Sequence, residues 1–322
     1  MFPRKLDNSS KTHSDDGDFV SEYKITDSGY GKDNVKLFHV ERNGSVHNIK
    51  EFEVNTHLKL YSKKDYLNGD NSDIVATDSQ KNTVYLLAKK FGVKSPEEFA
   101  IRLVNHFLTT YRHIEAAHVY IEEYPWRRLN YSKDLHGREH NHAFIFTPVA
   151  IRYCDVQQKR NDKHPTVISG LKGMRVLKTT QSSFVNFIND EYRSLPDMAD
   201  RVFSTIISAS WQYSVVEKIN FDFLWHHVKE IILQNFAGDV DVGVPSPSVQ
   251  NTIYLAQRDV LKSIKEISSI SIEMPNKHYF QFDTSKHPKV VQGENKEVFY
   301  PVDKPSGIIY SQLSRKNVLS KL

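Results

Sequence analysis

The sequence predicts an α+β protein made of two tandem repeats, each with the order strand, strand, helix, helix, strand, strand. Three observations favour this fold. The stretch KNTVYLLAKK at residues 81–90 returns as QNTIYLAQRD at residues 250–259. Segments of alternating apolar and polar residues, typical of half-buried strands, precede and follow each copy. With 322 residues, 39% of them hydrophobic, the chain can bury a core in each repeat.

Because each copy opens a helix after a strand pair, we expect the two copies to occupy equivalent positions in the two repeats. The predicted division has a disordered leader at residues 1–22, the first repeat at 23–160, the second at 161–312 and a tail at 313–322. Antiparallel sheets covered by helices on one face leave open edges. Joining several chains edge to edge would close such sheets into a barrel, so we expect a homo-oligomer.

In the first half, the alternation predicts strands over residues 35–40, 52–58, 118–122 and 143–146, with Asn43-Gly44 as the first turn. Two helices are predicted in between. The first runs through the first copy and ends at Gly92, and the second begins after Ser95, whose side chain can cap it. The side chains expected to face the core are Val84, Leu87, Ala88 and Phe91 in the first helix and Phe99, Leu103, Phe107 and Tyr111 in the second.

The second half repeats the order. We expect a strand pair or an extended connection over residues 167–177, a short helix over 184–192, and strands over 202–207 and up to residue 213. A helix over 222–236 and the helix opened by the second copy follow, then closing strands over 270–273 and 278–282. The apolar face predicted for the helix over 222–236 consists of Phe223, Leu224, His227, Ile231 and Phe236.

Composition and charge limit the classes of function and the compartments that fit this chain. The formal net charge is +4, with basic and acidic residues interspersed, which does not favour nucleic-acid binding. Cys154 is the single cysteine, so neither an intrachain disulfide nor a cysteine-built zinc site is expected. A reducing compartment, or one in which disulfides play no part, is therefore expected. No apolar run is long enough to predict a membrane span or a signal peptide. The final tripeptide Ser320-Lys321-Leu322 matches the peroxisomal address, so we expect the peroxisome.

Three short segments carry reactive side chains that the fold does not require: residues 30–34 with Lys32 just before the first strand, residues 75–79 at the turn into a helix, and residues 274–278 with His278 in a turn between strands. Each has a simpler interpretation. Lys32 can be a solvated lysine, Thr77 or Asp78 can cap the helix, and His278 can be a loop histidine.

Two further side chains suit a flat ligand. Phe184, expected at a helix start, could stack on a planar ring, and Arg201 offers a planar fork of donors. His140 and His142 could ligate a metal with Glu139 nearby, but a polar hairpin tip explains this segment better. No glycine-rich phosphate-binding sequence follows a strand, so a nucleotide cofactor is not expected.

Six segments of the chain, taken together, resemble the urate oxidase family: YGKDNV (30–35), IVATDSQKNT (74–83), HIEAAHVYI (113–121), SFVNFINDEY (183–192), SVQNTIY (248–254) and PNKHYF (275–280). The resemblance runs from about residue 28 to the final tripeptide. It implies the tunnelling fold, with two such repeats in each chain and four chains forming a stacked barrel with active sites at subunit interfaces. It also implies oxidation of urate by O₂ to 5-hydroxyisourate and hydrogen peroxide, without metal or flavin.

The resemblance also implies residue roles. Lys32, Thr77 and His278 would form a proton relay, with Thr77 and Asp78 supplied by the neighbouring chain. The residues implied to bind urate or O₂ are Thr77, Asp78, Phe184, Arg201, Val249, Gln250 and Asn276. Two alternatives stay open. One is an enzyme of the same fold that acts on pterin-like heterocycles with a zinc ion on His140 and His142, and the other is a catalytically silent purine-binding protein.

Overall fold

A computed structural model describes residues 23–130, 137–302 and 304–316. The predicted leader over residues 1–22 and the tripeptide Ser320-Lys321-Leu322 lie outside them. The strands formed by the described residues are β1 (Tyr30–Asn43), β2 (Val46–Leu60), β3 (Ile114–Glu123), β4 (Trp126–Asn130), β5 (Glu139–Phe146), β6 (Ile151–Lys159), β7 (Thr166–Lys178), β8 (Phe203–Tyr213), β9 (Ile267–Gln281), β10 (Phe299–Val302) and β11 (Ile308–Ser314). The helices are α1 (Lys64–Asn68), α2 (Thr77–Phe91), α3 (Pro96–Thr110), α4 (Phe221–Ala237) and α5 (Val249–Ser263).

One antiparallel sheet runs through the molecule in the order β1-β2-β3-β6-β7-β8-β9-β10, and β11 pairs with another part of β9. The elements β1, β2, α2, α3, β3 and β6 form the first repeat, and β7, β8, α4, α5, β9 and β11 form the second. The predicted α+β fold with two ββααββ repeats is therefore confirmed. The predicted division at 160/161 falls between β6 and β7, which pair with each other, so the sheet continues across it.

Local sequence signals correctly predict one turn and one helix start. Gly44, in the turn between β1 and β2, has a φ of +64°, a conformation that glycine adopts without a steric penalty. The side chain of Ser95 accepts a hydrogen bond from the Glu98 N–H at 3.1 Å, and Pro96 opens α3 where no N–H is needed. Phe99, Leu103 and Phe107 are then buried, as the four-residue spacing predicts.

The two similar stretches do not lie at equivalent positions of the two repeats. KNTVYLLAKK lies in α2, the first of its helix pair, whereas QNTIYLAQRD lies in α5, the second. Helix α5 packs on β9 and β11, and its counterpart α3 packs on β3 and β6. The expectation of equivalent positions is therefore wrong. The two stretches are alike because each is an amphipathic helix, and that pattern carries no information about its place in the fold.

Several predicted strands have different bounds. Residues 143–146 belong to a separate two-stranded sheet of β4 and β5, and the fourth sheet strand of the first repeat is β6, which the alternation did not single out. The segment 167–177 is one strand, β7. The pairs predicted over 202–213 and 270–282 are also single strands, β8 and β9. Neighbouring strands on both sides keep these chains extended through residues that favour turns.

The helix predicted over residues 184–192 does not form. Phe184 instead exchanges two backbone hydrogen bonds with Met198, each of 2.8 Å, so its backbone groups are already paired outside a helix. Two residues predicted to face the core are exposed, Phe91 by 47% and Phe223 by 62%. On α4 the buried face is rotated from the predicted one and includes Trp225, Val228 and Ile232.

Candidate active site

Lys32 lies within β1, opposite Thr56 of β2, rather than before the first strand. The register shifts between Lys32 and Val35, and Asn34 has a φ of +58° with its N–H bonded to the Asn55 side chain at 2.7 Å. This bulge sets the direction of the Lys32 side chain at the sheet edge. Only glycine fits at position 31 beside the bulge, because a Cβ there would lie 2.1 Å from the Thr56 carbonyl oxygen.

Thr77 and Asp78 form the first turn of α2. The residue in the N-cap position is Ala76, which has no side chain that could cap, so the capping interpretation of Thr77 and Asp78 is wrong. Asp78 instead accepts hydrogen bonds from Lys81 at 2.6 Å and from Asn82 at 3.0 Å. The bond from Lys81 is the main cause of the lowered pKa of Asp78.

A buried glutamine joins this turn to the sheet. Gln80 is fully buried, accepts a hydrogen bond from the Thr56 hydroxyl at 2.9 Å and donates one to the Val75 carbonyl at 3.2 Å. The Val75 N–H donates to the Tyr30 hydroxyl at 2.9 Å. The start of α2 is thereby held against β1 and β2. The charge of Lys32 also contributes to the lowered pKa of Asp78.

These contacts bring Lys32, Thr77 and Asp78 together, and we call the three the lysine group. The sequence resemblance implies that the neighbouring chain supplies Thr77 and Asp78, and the structure places Lys32 in the same group. Sequence analysis did not single out Gln80 or Tyr30, which hold the group together. A polar residue in a helical stretch gives no sign of burial, so no local signal could have identified Gln80.

The second group of predicted residues lies at the other end of the sheet. Asn276 and His278 are in the middle of β9, not in a turn between strands. They point to the same side of the strand, as residues i and i+2 do. Asn276 lies opposite Thr205 of β8, and its N–H bonds to the Gly307 carbonyl at 2.8 Å. The His278 ring stacks on Phe280 with centroids 5.5 Å apart.

Arg201 faces a cleft of about 530 Å³ that His278 and Phe280 also line. Its guanidinium carbon lies 5.1 Å from the centre of the Phe184 ring. The Nε of Arg201 is buried and has no hydrogen-bond partner among the described residues. A buried donor without a partner is costly, so this atom favours a ligand with an acceptor in the cleft.

Burial lowers the pKa of His278, and the positive charge of Arg201 lowers it further. The imidazole is therefore neutral at neutral pH and can accept a proton. Burial also lowers the pKa of Arg201. A guanidinium titrates so far above neutral pH that the side chain remains a cation.

Phe184 lies in a loop, and its ring stacks on Phe187 with centroids 4.2 Å apart. Val249 and Gln250 open α5, where Ser248 caps the helix by accepting a bond from the Asn251 N–H at 3.1 Å. Val249 is buried and Gln250 is exposed. We call the residues at this end of the sheet the arginine group: Phe184, Arg201, Val249, Gln250, Asn276 and His278.

The two groups do not meet within one chain. Strands β1 and β9 are separated by six strand-to-strand steps in the sheet. At about 4.8 Å for each step, the groups are roughly 29 Å apart along the sheet. No hydrogen bond or ion pair between described residues joins the two groups. Each chain therefore carries the two groups of predicted residues at opposite ends of the sheet.

His140 and His142 lie in β5, away from both groups. Their rings are 4.6 Å apart, and the Nδ1 of His140 accepts backbone N–H groups of His142 at 3.2 Å and of Ala143 at 3.0 Å. Within the described ranges, no group of three or more His, Cys, Asp or Glu side chains is arranged to hold a metal ion. In the same ranges, none of the helices has the length and apolar character to cross a membrane.

Comparisons with known proteins agree with this arrangement. The family model described as Uricase matches residues 28–157 and 167–310, which include every member of the lysine and arginine groups. A uricase of Drosophila pseudoobscura pseudoobscura is 60% identical over 318 residues, covering 94% of this chain and 92% of the relative. A uricase of Oryctolagus cuniculus is 44% identical over 289 residues, covering 90% of this chain and 94% of the relative.

The crystal structure of a uricase from Arthrobacter globiformis superimposes with a TM-score of 0.83 at 31% identity, covering 92% of this chain and 96% of that one. The likeness thus extends over both repeats and over both groups of predicted residues. The chain belongs to the uricase family.

Proposed function

We propose that the protein is a urate oxidase that converts urate, O₂ and water into 5-hydroxyisourate and hydrogen peroxide, with no metal or organic cofactor. The observation that carries this proposal is the cleft of the arginine group. Arg201 and a neutral His278 both line it, the Arg201 guanidinium lies 5.1 Å from the centre of the Phe184 ring, and the buried Arg201 Nε has no hydrogen-bond partner among the described residues. These groups suit a flat anion that must both be held and lose a proton.

The arginine group binds the substrate. The fork of Arg201 donates to the carbonyl oxygens and ring nitrogens at one edge of urate, and the amide of Gln250 donates to another. Phe184 stacks on the ring, and the backbone of Val249 adds a polar contact. Asn276 holds O₂ or water above the ring. Negative charge that develops on the ring thus meets donors that are already oriented.

The relay removes a proton before electrons are transferred. His278 accepts it by way of the Thr77 hydroxyl, and the Lys32 ammonium favours the deprotonated forms by its charge. Loss of a further proton makes urate a better electron donor. Two electrons pass to O₂, which takes up two protons and leaves as hydrogen peroxide, and an oxygen atom from water is added to the ring. The substrate itself supplies the electrons.

We propose further that the protein is a homotetramer whose active sites each combine the lysine group of one chain with the arginine group of another. The support is the separation of the two groups, roughly 29 Å along the sheet at about 4.8 Å for each strand step. Among the described residues, the sheet also ends in unpaired edges at β1 on one side and at β10 and β11 on the other. Pairing such edges between chains closes a sheet into a barrel.

The test is the loss of the ultraviolet absorbance of urate in air, with a chelator present, no added cofactor and hydrogen peroxide assayed in parallel. We expect one peroxide for each urate consumed, with a rate that the chelator does not change. No turnover despite urate binding would indicate a silent binding protein. Turnover abolished by the chelator would instead favour the zinc-dependent alternative with His140 and His142.

The peroxisomal address stays a prediction, because Ser320-Lys321-Leu322 lies outside the described residues. Its proposed partner is the import receptor for this tripeptide. A fluorescent protein fused before the chain should enter peroxisomes, and deletion of the tripeptide should leave it in the cytosol. A fusion that stays in the cytosol with the tripeptide intact would contradict the prediction.

A further inference from the structure

Three segments that are far apart in sequence pack together next to Asp200 and Arg201, which line the cleft. Residues 180–184, which we call the strap, lie between residues 198–201 and residues 244–246. On the first side, the Arg201 N–H donates to the Ser182 carbonyl at 2.8 Å. Phe184, at the end of the strap, is also bonded to this neighbouring segment. The strap therefore connects the guanidinium of the cleft to the ring beneath it.

The second side of the strap is bonded equally well. The Ser246 N–H donates to the Gln181 carbonyl at 2.8 Å, and the Ser183 N–H donates to the Ser246 carbonyl at 3.2 Å. Ser182 and Ser246 bridge as parallel neighbours and are only 5% and 2% exposed. The strap is thus the middle of three extended segments, although it is too short to form a regular strand.

Asp200 bonds the strap to residues 198–201, the segment that contains Arg201. Its carboxylate accepts the Thr180 hydroxyl at 2.6 Å and the Ser182 N–H at 3.3 Å. Burial acts to raise the pKa of Asp200, but the hydrogen bonds from Thr180 and from backbone N–H groups outweigh it and lower the pKa. The carboxylate is therefore charged at neutral pH, which strengthens each of these bonds.

Lys178, the last residue of β7, is hydrogen-bonded to residues 244–246, the segment on the other side of the strap. Its ammonium donates to the Val244 carbonyl at 2.7 Å and to the Ser246 hydroxyl oxygen at 2.9 Å. The same Ser246 oxygen accepts the hydroxyl of Thr252, in α5, at 2.9 Å. Lys178 therefore holds the segment that leads directly into the helix start carrying Gln250.

We propose that Asp200 and Lys178 are positioning residues for the substrate. By fixing the strap and its two neighbours, they keep Arg201, Phe184 and Gln250 oriented toward one ligand. This inference rests on the proposed urate oxidase function and names no new contact with urate. The side-chain bonds of Asp200 and Lys178 described above end on the strap and on residues 244–246, not on His278, so loss of either positioning residue should weaken substrate binding far more than proton transfer.

Kinetics with urate test the proposal. For Asp200→Ala we expect KM to rise about tenfold with kcat within about twofold, because a small displacement of several binding groups weakens all of them together. Asp200→Asn, which keeps one acceptor oxygen, should recover most of the affinity. Lys178→Met should also raise KM. A merely destabilised protein would behave differently, because a smaller folded fraction lowers the apparent kcat and leaves KM unchanged.

Two matched controls are available. Asp162 accepts a backbone N–H of Lys159 at 3.1 Å in the turn between β6 and β7, so Asp162→Ala removes a similar bond far from the cleft. Lys172 lies on the same strand as Lys178 but pairs with Glu122 at 2.5 Å, so Lys172→Met is its counterpart. Both controls should leave KM unchanged.

Hydrogen exchange supplies a readout that does not need turnover. The amides of Ser182, Ser183 and Ser246 should exchange faster in Asp200→Ala than in the wild type, whereas those of α3 should not. If Asp200→Ala fails to fold, Thr180→Val removes one of the same bonds and should raise KM about threefold, the loss of one hydrogen bond.

The outcomes separate the two proposals. Normal wild-type turnover with unchanged KM in Asp200→Ala and Lys178→Met would overturn the inference and leave the proposed function intact. A fall in kcat at constant KM, matched by the controls, would also overturn it. A wild-type protein that does not consume urate would remove the proposed function and, with it, the substrate part of this inference.

Discussion

The lysine group and the arginine group lie at opposite ends of one sheet and are built in different ways. The lysine group comes from two short stretches, residues 30–34 and 75–79, and Thr77 and Asp78 are exposed. The arginine group collects residues from several distant segments, and two of its members, Arg201 and His278, line a cleft. In our proposal, the substrate-binding part is thus arranged within one chain, whereas the part that moves protons is open to solvent there.

This difference explains why, in our proposal, catalysis depends on assembly. A relay that includes Thr77 and His278 requires the two groups to be within hydrogen-bonding distance. Since one chain holds them at opposite ends of its sheet, a second chain must complete each site. Water would also be excluded from the exposed lysine group only when a partner covers it.

The largest expected effect comes from mixing defective chains. Lys32→Ala and Arg201→Ala should each be inactive alone. When the two variants are co-expressed and assemble at random, half of the lysine groups and half of the arginine groups are intact, so about a quarter of the interface sites should be wild type. We expect the peroxide rate to recover to about that fraction.

The control for this experiment is co-expression of Lys32→Ala with Thr77→Ala. Both changes lie in the lysine group, so every mixed site keeps one defect and activity should not return. Recovery in this control, or no recovery with Lys32→Ala and Arg201→Ala, would mean that the groups are not combined across chains as proposed.

Next in size is the coupling within the relay. Lys32→Ala and Thr77→Ala should each lower kcat by about 10² to 10⁴, as loss of a proton-transfer group does. The double variant should be no slower than the worse single one, because either change already interrupts the same proton path. Effects that add on a logarithmic scale would argue that the two residues act separately.

A smaller effect is expected from changing the cation that binds the substrate. Arg201→Lys keeps the charge but loses the planar fork, so KM for urate should rise about 10- to 100-fold, the value of one or two charge-assisted hydrogen bonds. Arg258→Lys, at an exposed pair with Asp259 on α5, is the control and should behave as wild type. An unchanged KM in Arg201→Lys would remove Arg201 from the substrate site.

The smallest expected effect is on the titration of His278. Burial lowers the pKa of His278 most and the charge of Arg201 adds to it, so Arg201→Gln should raise the pKa only part of the way to the ordinary value. In nuclear magnetic resonance titrations, the His278 midpoint should move to higher pH. The acid limb of kcat/KM should move in the same direction, because the imidazole is then protonated at higher pH.

His106 serves as the reference in this titration. Burial and Lys90 lower its pKa, and Arg201 has no part in either. Its midpoint should not change in Arg201→Gln. A His278 midpoint that stays constant, or falls, would show that the guanidinium charge does not set its protonation state.

Much of the fold could be predicted because its signals are local. Ser95 and Pro96 define the start of α3 within four residues, and Gly44 permits the turn between β1 and β2. The interior of β9 could not be predicted in this way. Pro275 and Asn276 favour a turn, yet they pair with β11 and β8, whose residues are far away in the sequence.

The candidate site shows the same limit. The six family segments contain every residue of both groups except Arg201, which the sequence singles out only by its planar fork of donors. The sequence does not reveal how they are held, because the strap is fixed by bonds to Met198, Arg201 and Ser246 rather than by its own helical pattern. Buried polar contacts such as those of Gln80 have no signature in periodicity.

The sequence by itself determined the α+β class, the start of α3 and the amphipathic patterns of α2 and α5, because these depend on residues a few positions apart. Only the tertiary structure decided that Lys32 belongs with Thr77, that α5 corresponds to α3, and that the two groups lie at opposite ends of the sheet. The physical reason is that strand order and register arise from pairings between distant segments.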